Sequence, residues 1–389
     1  MTEAPMTHTT HPTPALHAHH ATWLVFFLCG VLYASWVVHI PAVSARLHLT
    51  PALLGSLLLL IAVGSLLSMT LAGHLTARHG SAATTRAFAL ISALLLLPPL
   101  IAPDAVTLGL ALFAFGFANG GLDVAMNAQG VTVERTLQRP TLSGYHAGYS
   151  LGNLAGAGLG SLLISAGVTA VPHALSVSVV MLALALLTGP RLLRHDQRSA
   201  DAAQQGPAAR LSPALLLTGL LCLLGMLGEG AMADWSGLYY QQVLHAPAAL
   251  TGLGFIAFTC TMTLGRVFGD RLRAQLGDLT VVRGGALIAG VGLGAALLTR
   301  DPVLTALGFA AFGVGAANVV PALYGAAGHV GGGPGIARVA TLGYLGFLAG
   351  PPLLGFVAQG TSLPVALALV AGAALIIAGL SGRALQPAA

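Results

Sequence analysis

Apolar runs of about 20 residues recur along almost the whole chain, separated by short clusters of proline, glycine and charge. That is the length a helix needs to cross the roughly 30 Å of hydrocarbon in a bilayer. Punctuating the runs at those clusters predicts helices near 22–45, 52–75, 84–102, 105–132, 141–166, 171–190, 213–242, 248–270, 280–299, 302–326, 336–358 and 362–382. The expected fold is an all-α membrane protein with 12 transmembrane helices in two six-helix bundles. Residues 1–20 show no apolar period and are rich in Thr, Pro and His, which predicts a disordered tail. Arg191 to Arg210 is the longest polar stretch and has a linker's composition. The predicted organisation is therefore a tail (1–20), an N-terminal bundle (21–190), a cytoplasmic linker (191–212) and a C-terminal bundle (213–389).

Composition changes this picture only by excluding its rivals. Charged residues make up 7% of the chain, against about a quarter in a soluble protein. A chain of 389 residues could not be solvated by so few, so the bilayer is its expected solvent. The net charge of +5 comes from 16 basic residues, all arginine, spread thinly between the apolar runs. They form no basic face for nucleic acid. Their distribution reports topology instead. With a cytoplasmic N-terminus, Arg78, Arg86, Arg135, Arg139, Arg191, Arg194, Arg198, Arg210, Arg271, Arg273, Arg283, Arg338 and Arg383 all lie inside, and only Arg46 and Arg300 outside. Both termini are expected in the cytoplasm of a bacterial cell, with the chain in the inner membrane. Cys29, Cys222 and Cys260 are far apart and inside apolar runs, which predicts free buried thiols. The tail histidines His8, His11, His17, His19 and His20 are irregularly spaced, with no acidic or Cys companion. Metal buffering there is the weaker reading, and no metal or cofactor is expected. The first apolar run is too long for a signal-peptide core.

The two halves echo each other across the linker. Gly152-Asn153-Leu154-Ala155-Gly156 matches Gly346-Phe347-Leu348-Ala349-Gly350. Phe115-Gly116 with Ala118-Asn119 resembles Phe312-Gly313 with Ala317-Asn318, and Gly73 parallels Gly269. Each offset is close to half the chain, so a duplication is expected. Such paired bundles place a solute site between them near the bilayer midplane.

The loop after the second span reads Gly73-His-Leu75-Thr-Ala77-Arg78-His-Gly80, and the one after the eighth reads Gly265-Arg266-Val-Phe-Gly269-Asp270-Arg271-Leu272. These resemble the two copies of the G-x-x-x-D-R-x-G signature of the major facilitator superfamily, and the resemblance extends from about residue 21 to 385. It implies secondary transport by alternating access, with Gly73, Arg78, Gly80, Gly269, Asp270 and Arg271 in gating loops. Ala77 stands where the family usually has Asp, which puts the charge latch of the first loop in doubt. Residues 117–130, 230–240 and 340–356 are most similar to the branch related to fucose permease, which implies proton-coupled sugar symport. The fifth span lacks the Gly-Pro signature of drug/proton antiporters.

An ionisable side chain costs about 2.5 kcal/mol or more in hydrocarbon, so those within spans are functional candidates. His39, Asp123, Glu229 and Asp234 qualify. Asn119, Asp123 and Asn127 recur at i, i+4 and i+8 and predict a polar cavity wall on the fourth helix. The resemblance implies a functional carboxylate on this helix, supporting Asp123 as a proton-coupling group. Burial favours the neutral form of a carboxylate, so such a group can exchange a proton as water access changes. The other reading is a structural hydrogen-bond network. On the seventh helix Glu229 shares a face with Met232, Ser236 and Tyr240 and is the candidate second coupling carboxylate. Asp234 lies about 140° away at 100° per residue, and beside Trp235 it reads as an interfacial pair or as a cavity group. Tyr33, Trp36 and His39 at i+3 spacing form either a sugar-binding aromatic wall or simple packing. Gly144, Gly148, Gly152, Gly156 and Gly160 clear one face of the fifth helix for a close neighbour. Tyr145, Tyr149 and Asn153 lie beside that face and are cavity candidates, as are Asn318 and Tyr344 near the bends expected at Pro321 and Pro351-Pro352.

Two apparent motifs carry no chemistry. Gly148-Tyr149-Ser150-Leu151-Gly152 fits the nucleophile-elbow pattern but lies within a membrane helix rather than a strand-turn-helix. The glycine-rich run 331–335 has no following Lys and reads as a connector. An enzyme is therefore not expected. The partners expected are a small-molecule solute, protons and the lipid bilayer, with the chain acting as a monomer. Sugar-like solute uptake by proton symport leads, proton-driven efflux of drugs or metabolites is the alternative, and a non-transporting receptor or scaffold is the rival of another class.

Overall fold

The computed structural model describes residues 12–139, 141–194 and 212–385. Eleven helices among them are long and apolar enough to cross a bilayer: Ala15–Arg46, Pro51–His79, Ser81–Ile101, Ala105–Leu137, Ala170–Arg191, Pro213–Gln242, Ala248–Val267, Asp278–Ala296, Pro302–Gly332, Arg338–Gly360 and Leu363–Leu385. The helix Leu142–Ser165 completes twelve and is fifth in chain order. Its many glycines make it the least apolar of the set. No strand occurs among the described residues.

The duplication is visible in how the helices touch. A Cβ added to Gly152 on the fifth span would overlap the carbonyl of Phe27 on the first, and one on Gly346 of the eleventh would overlap that of Leu223 on the seventh. Gly116 of the fourth span meets the Ile61 carbonyl of the second in the same way that Gly313 of the tenth meets the Phe258 carbonyl of the eighth. Without side chains at these points, backbones approach closely and dispersion contacts hold the pairs together, as membrane helices require. Gly148, Gly152, Gly156 and Gly160 face Trp23, Phe27, Val31 and Val38 in turn, so the glycine stripe is the seam between the fifth and first spans. Helix starts repeat as well. The Thr107 N–H donates to Asp104 Oδ1 at 2.8 Å, while Val303 and Leu304 donate to Asp301 Oδ1 at 2.9 and 2.8 Å. Each carboxylate satisfies amides that the first turn leaves without partners.

Several boundaries differ from the expected ones. The first helix begins at Pro12, so 12–20 continue the span instead of forming a disordered tail. There His19 Nδ1 lies 2.9 Å from the Tyr145 hydroxyl, a tertiary partner that polarity alone did not reveal. Residues 1–11, with His8 and His11, and linker residues 195–211 lie outside the described residues. The 331–335 run joins two spans, as expected: the tenth ends at Gly332 and the eleventh runs from Arg338 to Gly360, with a sharp kink at Gly332, φ 58° and ψ −150°, between them. That left-handed geometry suits glycine. The tenth span breaks after Ala316 and resumes at Val319. Pro321 accounts for this, because its ring clashes with the carbonyl four residues earlier. The eighth span stops at Val267, and a separate short helix, Gly269–Leu276, follows it.

The halves close against each other at the end that carries Arg46 and Arg300. Gly55 meets the Pro351 carbonyl, Gly355 meets that of Pro51, Gly252 meets Ser161, and Gly237 packs on Pro41. The Ala52 N–H also donates to Gln359 Oε1 at 3.2 Å.

Candidate solute cavity between the two halves

A cavity of about 330 Å³ lies between the halves. Pro351, one of the seam residues, forms its floor, and its walls rise past mid-span to Met69 and His146 near the opposite helix ends. The closed seam and the direction of the walls leave the cavity facing the end that holds the start of the first helix at Pro12 and the end of the last at Leu385.

Of the residues expected here, Tyr33, Asn119, Asp123, Tyr149 and Tyr344 line it. Asn127 does not, although its Nδ2 reaches Asp123: it donates to the Asp123 carbonyl at 2.8 Å and to Oδ1 at 3.1 Å. Steps of four residues turn about 40° each on a 3.6-residue helix. Asn127 has therefore drifted off the wall and supports Asp123 from behind. The same drift, in steps of three, carries Trp36 and His39 away from Tyr33. Trp36 is buried in the core at 1% exposure. His39 lies beyond a break in the first span, 2.8 Å from His173, beside a separate cavity of about 340 Å³ at the closed end. Tyr145 stacks on Phe26 at 5.5 Å, and Asn153 is buried where its backbone meets Gly30. Asn318 donates to the Gly265 carbonyl at 3.0 Å and fills the space above Gly269, tying the tenth span to the end of the eighth. The glycine contacts explain this placement. They align Gly116 with Gly313, so Asn318 matches Gly121, which packs on the Phe88 ring, rather than Asn119.

The seventh span reverses the expected roles of its two acids. Met232, Ser236 and Tyr240, which share a face with Glu229, are fully buried in the core. Glu229 itself pairs with Arg266, whose Nη2 lies 3.0 Å from Oε2 and 3.1 Å from Oε1, and it is not on the cavity wall. Asp234 is on the wall, with Gly230 one turn below it. It is not an interfacial group. At 9% exposure it has no hydrogen-bond partner among the described residues. His146, Cys29 and Ser65 also line the cavity. The i+3 spacing of His146 and Tyr149 was the available signal for the first of these.

The loops at the cavity's open end are unequal. Gly80 closes the second span with φ 87°, and its counterpart by position is Gly277 with φ 78°. The second loop copy therefore ends at Gly277, a few residues beyond the Gly265–Leu272 register read from the motif. Arg273 makes its ion pairs, to Asp278 at 2.7 Å and to the exposed Asp270 at 3.7 Å. The Asp278 contact raises the Arg273 guanidinium above its ordinary value. Arg271 is exposed and Gly269 is buried under Asn318, while Gly73 has open space around it and Arg78 is exposed.

The Major Facilitator Superfamily model matches residues 22–334. The chain belongs to that superfamily. Within it, the chain is 37% identical over 379 residues to an uncharacterized MFS-type transporter of Yersinia pestis, covering 95% of this chain and 96% of that one. It is 34% identical to the membrane protein MosC of Rhizobium meliloti, over 91% and 86% of the two chains. Among solved structures, the nucleoside transporter NupG superposes with a TM-score of 0.73 at 14% identity, over 95% of this chain and all of that one. A bacterial homolog of the human lysosomal transporter Spinster, in an inward-facing and occupied conformation, superposes with a TM-score of 0.74 at 13% identity over 97% of this chain and all of the other. These likenesses establish the fold of a superfamily member and its place among membrane transporters.

Proposed function

We propose that this superfamily member is a proton-coupled symporter that carries a small polar, sugar-like solute across the bacterial inner membrane, as a monomer with both termini in the cytoplasm. The observation that carries this reading is Asp123. It stands on the cavity wall at mid-span, positioned by Asn127, and no arginine among the described residues lines the wall beside it. A carboxylate so placed can take a proton from one side of the membrane and release it to the other as the halves rock. Asn119 and the hydroxyls of Tyr33, Tyr149 and Tyr344 supply donors and acceptors for a hydroxylated solute. The sequence resemblance to the fucose permease branch points the same way.

Efflux is the second reading. Phe115, Phe347, Met69 and Met126 give part of the wall an apolar character that suits an amphipathic cargo. Proteoliposomes loaded with a pH-sensitive dye and offered a panel of monosaccharides separate the two. Symport moves protons in the direction of the solute, and antiport moves them against it. An Asp123→Asn variant should still exchange solute but lose accumulation against a gradient. If it accumulates solute normally, Asp123 is not the coupling group.

A further inference from the structure

The charge on the cavity wall is one-sided. Among the described residues its carboxylates are Asp123 from the N-terminal half and Asp234 from the C-terminal half, and no arginine lines it. Arg266, on the neighbouring eighth span, is already held by both oxygens of Glu229. His146 is the remaining ionisable nitrogen on the wall. Asn127 donates to one oxygen of Asp123, whereas Asp234 is buried and without any partner among the described residues. A neutral sugar offers that carboxylate hydroxyl donors but no countercharge, and burying a charge without one is costly. The rings of Tyr33, Tyr344 and Phe347, whose faces attract cations, line the same cavity. The volume, about 330 Å³, lies at the lower end of the roughly 300–1,000 Å³ usual for small-molecule sites.

We infer that the solute is a small organic cation, a protonated amine on a body of monosaccharide size, with its ammonium group held by Asp234. The inference rests on the transport reading above and assigns the two acids different partners: Asp123 exchanges the proton and Asp234 binds the cargo. An ammonium group there joins the C-terminal half to a solute whose remaining polar groups face Asn119 and Tyr149 on the other half. The cargo thereby bridges the two bodies that must move.

The test is charge-selective labelling. Ala62 lines the cavity and is part-exposed, so Ala62→Cys, with Cys29→Ser, Cys222→Ala and Cys260→Ser, places one thiol on the wall. It is treated with a methanethiosulfonate bearing ethyltrimethylammonium and with the ethylsulfonate analogue of similar size. Both rates are normalised to those with a free thiol in solution. The cationic reagent should react faster by about tenfold or more, the scale of one carboxylate acting across a poorly screened cavity. Asp234→Asn should cut that preference at least about threefold and Asp234→Glu should keep it. Equal normalised rates would overturn the inference. So would a preference that survives Asp234→Asn and disappears in Asp123→Asn, because the cation would then belong to Asp123. Labelling requires no transport cycle. A failed proton-flux experiment would overturn the coupling role of Asp123 and leave this result standing, and the converse also holds.

Discussion

The two halves are alike in backbone and unlike in chemistry. Gly152 and Gly346 hold equivalent helix pairs together, as do Gly116 and Gly313, and Asp104 and Asp301 cap equivalent helices. At the register these glycines set, however, the partner of Asp123 is Val320, and the C-terminal half places its wall carboxylate on a different helix, at Asp234. The contacts that maintain the fold have been kept in duplicate, whereas the groups that face the solute have diverged. A cavity read differently by each wall can orient its cargo, which two identical walls could not do.

The comparison breaks most visibly at the shared backbone contacts. Gly152→Val and Gly346→Val should each abolish monodisperse protein in size-exclusion chromatography, because the new side chain has a carbonyl in its way and neither helix can retreat. If only one fails, the halves are not equally dependent on their clamps. Next in size, Asp123→Asn should reduce gradient-driven accumulation to simple equilibration, whereas Val320→Asp, its positional counterpart, should not restore it. Uptake by the single and double variants in proteoliposomes measures this.

A third, smaller effect concerns the ion pair between Arg266 and Glu229 in the C-terminal half. Arg266→Gln leaves Glu229 unpaired at 15% exposure. Because Arg266 is 40% exposed and solvent screens the pair, the loss should be only about 1 kcal/mol. Thermal unfolding of Arg266→Gln and of the double variant with Glu229→Gln tests it, and the double variant should recover part of the loss. Smallest is the cap at Asp104. Hydrogen bonds from Thr107 hold its carboxyl below the ordinary value of 3.8. A depressed folded value means that the stabilisation is present above pH 3.8 and fades as pH falls through the still lower folded value. The melting-temperature gap between the wild type and Asp104→Ala should therefore be small and constant near neutrality, and should close only below that range.

The spans, the duplication and the glycine seam were legible because each depends on spacing along one helix, which the chain displays directly. Which acid of the seventh span faces the cavity was not. Glu229 and Asp234 differ by a rotation of the whole helix, and that rotation is set by where Met232, Ser236 and Tyr240 find their core. On the fourth helix Asn119 and Asp123 line the cavity and Asn127 does not, because a stripe at spacing four winds slowly around the helix. Asn318 looked like a second Asn119 until contacts, rather than similar letters, fixed the register. His146 sits alone among glycines with no polar stripe to mark it, and only the packing of the fifth span against the first turns it toward the cavity.

Pro351 belongs to two places at once, the cavity floor and the contact with Gly55 that keeps the far end shut. A molecule settling on that floor leans directly on the bolt of the opposite door. The cavity and one of the contacts that shut the barrier thus share a residue, so cargo on the floor touches the closure directly.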